Sequence, residues 1–166
     1  GTGTLHDVHG PWGFGQGADN LDEWRDYWSR DDALFRSETG MPGAQSLEMF
    51  SKYGGDADVW PPISDYWRHT AAWWGQWNRF RDQLGGLPED EALAEYIRLT
   101  QEEQAEAYAI AAAACKGRFP KCGGFLVWMG HDAFPCPANN AFIDFDRNPK
   151  PAYFALKRVF RGENEG

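Results

Sequence analysis

One carboxylate, Glu38, stands where a short apolar run, LFRSETG (Leu34 to Gly40), passes into a glycine-containing loop. α/β enzymes keep their catalytic groups at such strand ends, which makes Glu38 a candidate acid, base or nucleophile. Later in the chain a second apolar run, GGFLVWMGHD (Gly123 to Asp132), ends on Trp128, His131 and Asp132. Two strand ends tipped with polar and aromatic side chains suggest one shared site. His6, Asp7 and His9 have a spacing that could bind a metal, but such a group at a strand end is more often a hydrogen-bonding loop, and no metal is expected.

The elements that must position these residues can be read from pattern and punctuation. Thr4 to Val8 reads as a strand leading into HDVHGPWGFG, and residues around Asp22 to Trp28 allow a short helix. Ala33 to Ser37 then reads as a buried strand, and Gln45 to Tyr53 as a brief helix stopped by Gly54 and Gly55. Ser64 or Asp65 could cap one helix running through Trp67, Ala71, Trp74 and Trp77 toward Leu84. The clearest helix starts after Pro88 with Glu89, Asp90 and Glu91, where acidic groups favour the dipole. It carries Leu93, Tyr96, Ile97, Gln104, Tyr108 and Ala111 on one stripe and ends near Gly117. Gly123 to Met129 is apolar without alternation, which predicts a parallel strand covered on both faces. Ile143 to Phe145 reads as a short extended piece. A last helix opens at Pro149 and Pro151 and turns Ala152, Leu156, Val159 and Phe160 inward. Strand alternating with helix at this spacing predicts a parallel α/β architecture with right-handed crossovers.

Composition bounds the partners. The length of 166 residues suits one domain with a real core. Asp plus Glu number 25 against 16 Lys plus Arg, a net charge of −9 that repels polyanions, so nucleic acid is a poor partner. No apolar stretch approaches the ~20 residues of a membrane span, and the first residues lack a basic start and a hydrophobic segment, so neither anchor nor signal peptide is expected. Cys115, Cys122 and Cys136 have no paired metal spacing and allow at most one disulfide, leaving the compartment open. Nine Trp, eleven Phe and six Tyr exceed what a core of this size needs, and flat rings in a cleft are a common way to hold sugars or bases.

Each candidate has a structural alternative. Glu38 could pair with Arg36 or a helix terminus, Trp128 could be a plain core residue, and Asp132 could satisfy amides of its own loop. Trp67, Trp73, Trp74 and Trp77, at helical spacings, read first as packing.

LFRSETG, then GGFLVWMGHDAFP, then IDFDRNPKPAYFALKRVF together resemble the C-terminal part of the catalytic barrel of glycoside hydrolase family 2, nearest its β-mannosidase and exo-β-glucosaminidase branches. The resemblance covers nearly the whole chain and is strongest at residues 34 to 40 and 124 to 160. It implies an α/β fold, the C-terminal portion (about three βα units) of a TIM barrel, whose complete form takes about 250 residues. Residues 1–166 would then be a single segment of a longer glycosidase chain.

The same resemblance implies roles. Glu38 matches the nucleophile, the Glu of a Ser-Glu-(Phe or Thr)-Gly segment ending the seventh strand. Trp128, Asp132 and Pro135 match the end of the eighth strand, whose Trp commonly floors the sugar subsite, while His131 stands where many relatives have Asn. Asp132 and His131 would orient sugar hydroxyls. HDVHGPW resembles the loop after the sixth strand, so His9 and Trp12 would line the pocket. Retaining glycosidases need two carboxyls about 5–5.5 Å apart. The family's acid/base belongs to an Asn-Glu pair ending the fourth strand, and the only such pair here, Asn164-Glu165, lies in the tail. The implied activity is a retaining exo-β-glycosidase in which this chain supplies the nucleophile half and the isolated chain does not turn over substrate. The partners are a carbohydrate and the remainder of the barrel, from the same parent chain or another, and no cofactor is implied. A non-catalytic carbohydrate-binding or barrel-completing module is the alternative.

Overall fold

The computed structural model describes residues 6–70 and 72–163. Along the chain the elements run β1 (Val8–His9), α1 (Leu21–Ser29), β2 (Arg36–Thr39), β3 (Gly43–Ala44), α2 (Leu47–Tyr53), a 3-10 turn (Asp65–Trp67), α3 (Ala72–Gly75), α4 (Trp77–Leu84), α5 (Glu89–Gly117), β4 (Phe125–Val127), β5 (Ala138–Asn139) and α6 (Pro151–Arg161). β1, β2 and β4 form a parallel sheet in that order, and α1, α5 and α6 each follow one of its strands. The chain is therefore α/β.

Local chemistry explains where the helices begin. The Asn20 side chain accepts a hydrogen bond from the Glu23 amide at 2.9 Å, and the Glu23 carboxylate returns to the Asn20 side chain and the Asp19 amide, a reciprocal cap worth about 1 kcal/mol. Glu89, Asp90 and Glu91 fill the first turn of α5, as expected from the sequence. α6 stops at Gly162, which takes the left-handed φ of 72° that glycine tolerates best.

The three helices close one hydrophobic layer against the sheet. Trp24 and Trp28 of α1, Ala107, Tyr108, Ala111, Ala112 and Cys115 of α5, and Ala152 and Leu156 of α6 are all buried there. Phe125 and Val127 reach the same layer from β4. Each buried indole removes about 150–250 Å² from water, an upper-bound stabilisation of about 4–6 kcal/mol. The Trp24 indole N–H is not orphaned by this burial, because it donates to the Ala107 carbonyl at 3.0 Å.

Several expectations are corrected. Leu126 is 53 % exposed, so β4 is covered on its helix-facing side while its other face is open among the described residues. The stretch expected as one tryptophan-bearing helix is three short pieces, because Gln76 adopts φ 50° and breaks the helix between α3 and α4. Trp60, Trp67, Phe80, Tyr96 and Leu84 gather into a second core, with Trp77 packed on it. At the end of the chain Phe160 is 52 % exposed and Ala155 takes the inward position. Among the described residues Ile143 makes only isolated bridges, with His131 and Pro149, whereas β3 and β5 form a two-residue antiparallel ladder that the sequence pattern does not predict. Of the stretch expected as the first strand, residues 4 and 5 lie outside the described residues, as does Asn164-Glu165. Cys115, Cys122 and Cys136 are free and buried.

Candidate active site

Glu38 is the third residue of β2, the central strand of the sheet, one step from the strand end. Its carbonyl accepts from the Gly10 amide at 2.7 Å, and the next carbonyl, of Thr39, accepts from the Trp128 amide at 2.9 Å. These two bonds put the ends of all three strands side by side. The register adds a second fact: Val8 and His9 face Arg36 and Glu38, while Phe125 and Val127 face Arg36 and Thr39. β2 thus carries one residue more than either neighbour over the same span. Strict alternation would send Glu38 to the same side as Arg36, and the extra residue breaks that alternation.

What lies on the helix side of β2 is an ion cluster. Arg36 is fully buried, donates to the Gly10 carbonyl at 2.7 Å and to Tyr27, and pairs with Asp31, which also pairs with Arg118. The Arg36 guanidinium sits over the Trp28 ring at 4.9 Å. Burial is the largest single influence and works against its charge, but the hydrogen bonds and charges of Asp31 and Tyr27 together outweigh it and hold the guanidinium above its ordinary value. Arg36 therefore belongs to Asp31, and the structural alternative for Glu38, a pair with Arg36, is not formed. Glu38 is half-buried and its carboxylate makes no hydrogen bond or ion pair among the described residues.

Above the strand ends stand aromatic rings. Trp128 is 38 % exposed, so it is not a plain core residue. Its ring meets Trp12 edge-on, centroids 6.2 Å apart at 77°, and Trp74 at 6.4 Å and 67°. The indole N–H groups of Trp12 and Trp74 are buried without a hydrogen-bond partner among the described residues. The Trp128–Met129 peptide is cis. Gly40 explains the tight approach of these segments: a Cβ there would lie 2.7 Å from the Asn140 side chain and 2.8 Å from the Trp128 carbonyl.

The remaining candidates divide. His9 and His131 are exposed; His9 Nε2 lies 3.2 Å from an Asp7 carboxylate oxygen, and His131 pairs through its backbone with Ile143. Asp132 is 1 % exposed and points inward. Its Oδ1 accepts from the Asn139 side chain at 3.0 Å and its Oδ2 lies 3.8 Å from Lys150 Nζ, which itself donates to the Gly43 carbonyl at 3.1 Å. Burial pushes the Asp132 carboxyl up and the Lys150 amine down, and each charge partly offsets the other. Of the two readings of Asp132, the arrangement matches the one in which it satisfies groups of its own neighbourhood, although these are side chains rather than loop amides.

The sequence reading missed several residues around the site. Asn140 is fully buried, has no hydrogen-bond partner for either side-chain amide atom among the described residues, and presses on Gly40, two residues past Glu38. Gln104 of α5 reaches the carbonyls of Met41, Asn139 and Ala141 at 2.8, 3.2 and 3.3 Å, and Tyr108 donates to the Asn140 carbonyl at 2.6 Å. α5 thereby fixes the loop behind the site. The only sequence signal for this was a polar interruption, Asn139-Asn140, in an apolar and proline-rich stretch.

No protein-family model matches the chain. Individual proteins do. Over 134 residues, 76 % of this chain, it is 31 % identical to β-mannosidase B of Aspergillus flavus, and over 70 residues, 40 % of the chain, it is 39 % identical to β-mannosidase B of Aspergillus niger. The chain spans only 15 % and 8 % of the length of those relatives in these matches. A crystal structure of β-D-mannosidase from Dictyoglomus thermophilum superposes on 93 % of this chain with a TM-score of 0.72 and 26 % identity, using 18 % of that longer chain.

Proposed function

We propose, for this β-mannosidase-like segment, that it is the C-terminal portion of a family 2 catalytic barrel and that its parent protein removes terminal β-linked sugars, β-mannosides first, with retention of configuration. The observation that carries the reading is the place of Glu38: a carboxylate without a partner among the described residues, near the end of the central parallel strand, beside the half-exposed Trp128, in a chain similar to β-mannosidases over most of its length.

In the proposed reaction a Glu38 oxygen attacks the anomeric carbon and forms a glycosyl ester as the bond to the leaving oxygen breaks. The leaving oxygen takes its proton from a second carboxyl. That group comes from the remainder of the barrel, which is the partner this segment requires. It then accepts a proton from water, which attacks the anomeric carbon and releases Glu38. Trp128 provides the platform for the sugar ring, with Trp12 against it, and the exposed His9 and His131 contact hydroxyls. Asp132, tied to Asn139 and Lys150, acts by holding the loop that carries His131.

Two inversions at one carbon restore the starting configuration, so the test is stereochemical. Proton NMR of the first product released by the full-length protein from an aryl β-mannoside is expected to show the β anomer before mutarotation. Initial release of the α anomer would mean a single displacement and would remove Glu38 from the nucleophile role.

A further inference from the structure

In the Asn-Pro-Lys-Pro segment (Asn148 to Pro151), Lys150 is placed against the preferences of its own helix. It is the N-cap residue of α6, where its side chain makes no capping bond and where the helix dipole favours an anion over a cation. It is also only 4 % exposed, and a buried ammonium is costly unless its partners are close. α6 by itself has no use for this charge. The reason for it lies in what the ammonium reaches.

Lys150 Nζ donates to the Gly43 carbonyl at 3.1 Å and lies 3.8 Å from Asp132 Oδ2. Asp132 Oδ1 accepts from the Asn139 side chain at 3.0 Å, and Asn139 is paired with Gly43 in the β3–β5 ladder. Gly43, Lys150, Asp132 and Asn139 thus close a ring of contacts. Asp144, another carboxylate near Lys150, is taken up by the backbone amide and side chain of Asn148, at 2.8 and 3.2 Å. That leaves Asp132 as the counter-charge.

The ring stands at a particular place relative to the site. Glu38 and Trp128 belong to two segments already fastened at the strand ends, where the Trp128 amide donates to the Thr39 carbonyl at 2.9 Å. Gly43 lies four residues beyond Thr39, Asp132 lies four residues beyond Trp128, and Lys150 joins the two. One fastening lets two segments pivot about it; a second one, farther along both, removes that freedom. Asn139 returns the constraint toward the platform, because its side-chain nitrogen also lies 3.3 Å from the sulfur of Met129, the residue after Trp128. Nor can Gly43 retreat, since even a Cβ there would lie 2.6 Å from the Gln104 amide oxygen.

We propose that Lys150 is a positioning residue for hydrolysis at Glu38: by tying the segment after the carboxylate to the segment after Trp128, it fixes the angle between nucleophile and sugar platform. This rests on the glycosidase reading above. Lys150 acts through Gly43 and Asp132 and touches no substrate. A platform that drifts by ~1 Å still binds a sugar, whereas attack needs the reacting atoms aligned about 3–3.5 Å apart. The cost of losing the tie therefore falls on kcat.

The test separates this role from plain stability. Lys150→Met alone leaves the Asp132 carboxylate buried without its counter-charge and is expected to lower the unfolding midpoint of the full-length protein. Lys150→Met combined with Asp132→Asn removes both charges, keeps an oxygen for the Asn139 side chain, and is expected to recover most of that midpoint. Its kcat on an aryl β-mannoside is nevertheless expected to stay about thirtyfold below wild type, with KM changed less than about threefold. A kcat that recovers together with the midpoint, or a rise in KM at unchanged kcat, overturns the positioning role and leaves the Glu38 site standing. A wild-type full-length protein that does not cleave the aryl β-mannoside removes the glycosidase reading, and the positioning role with it.

Discussion

Glu38→Gln in the full-length protein is expected to lower kcat on aryl β-mannosides by about four orders of magnitude, equivalent to about 5–6 kcal/mol of lost transition-state stabilisation. The amide keeps the shape of the side chain but cannot form the ester, and the loss of a covalent nucleophile removes a step rather than weakening one. Folding should be unaffected. The Glu38 carboxylate has no protein partner among the described residues, so nothing is orphaned by its neutralisation, and the change in stability should stay within about 0.5 kcal/mol. The pairing of a large kinetic loss with an unchanged unfolding midpoint separates a reacting group from a structural one. Hydrolysis near the wild-type rate would sink the assignment.

The largest effect on stability is expected behind the site. Asp31 has a fully buried carboxylate that serves two arginines, and one of them, Arg36, is itself fully buried in β2. Asp31→Ala leaves both guanidinium groups without their counter-charge, one with no access to water. Removing one partner of a buried pair costs about 3–5 kcal/mol. The opening should be local to the sheet edge first, since Arg36 also holds the Gly10 carbonyl that precedes the Trp12 loop. Hydrogen exchange at the Val8 and Arg36 amides, both bonded across the sheet, is expected to speed up about a hundredfold or more in the intact protein. Adding Arg36→Met to Asp31→Ala should recover part of the loss, because the orphaned charge is gone. Unchanged exchange in the single variant would mean that the cluster does not hold β2 in place.

The sequence was most legible where a local rule and a long-range requirement agree. α5 is one such case: an acidic first turn after Pro88, a stripe from Leu93 to Ala111, and an end at Gly117 all describe the same helix. Glu38 is another, since a carboxylate at the end of an apolar run means the same thing in the pattern and in the sheet. Failure came where tertiary geometry decided. Trp67, Trp74 and Trp77 have helical spacing, yet the left-handed turn at Gln76 divides the segment and gives the rings different tasks. Two-residue strands such as β3 and β5 carry no periodicity at all. The inward turn of Asp132 depends on Lys150 and Asn139, whose positions follow from the loop rather than from any spacing. The extra residue in β2 is visible only against its two neighbours.

The role of Glu38 is the claim on which the other readings of the site depend, and a trapped intermediate tests it most directly. A 2-deoxy-2-fluoro β-mannoside with a good leaving group slows the breakdown of the ester, so that the labelled peptide can be isolated from the full-length protein and sequenced by mass spectrometry. One label per active site, on the Glu38 oxygen within LFRSETG, is the predicted result. A label on any other carboxylate, or full turnover of ordinary substrates with no adduct ever formed, would contradict it.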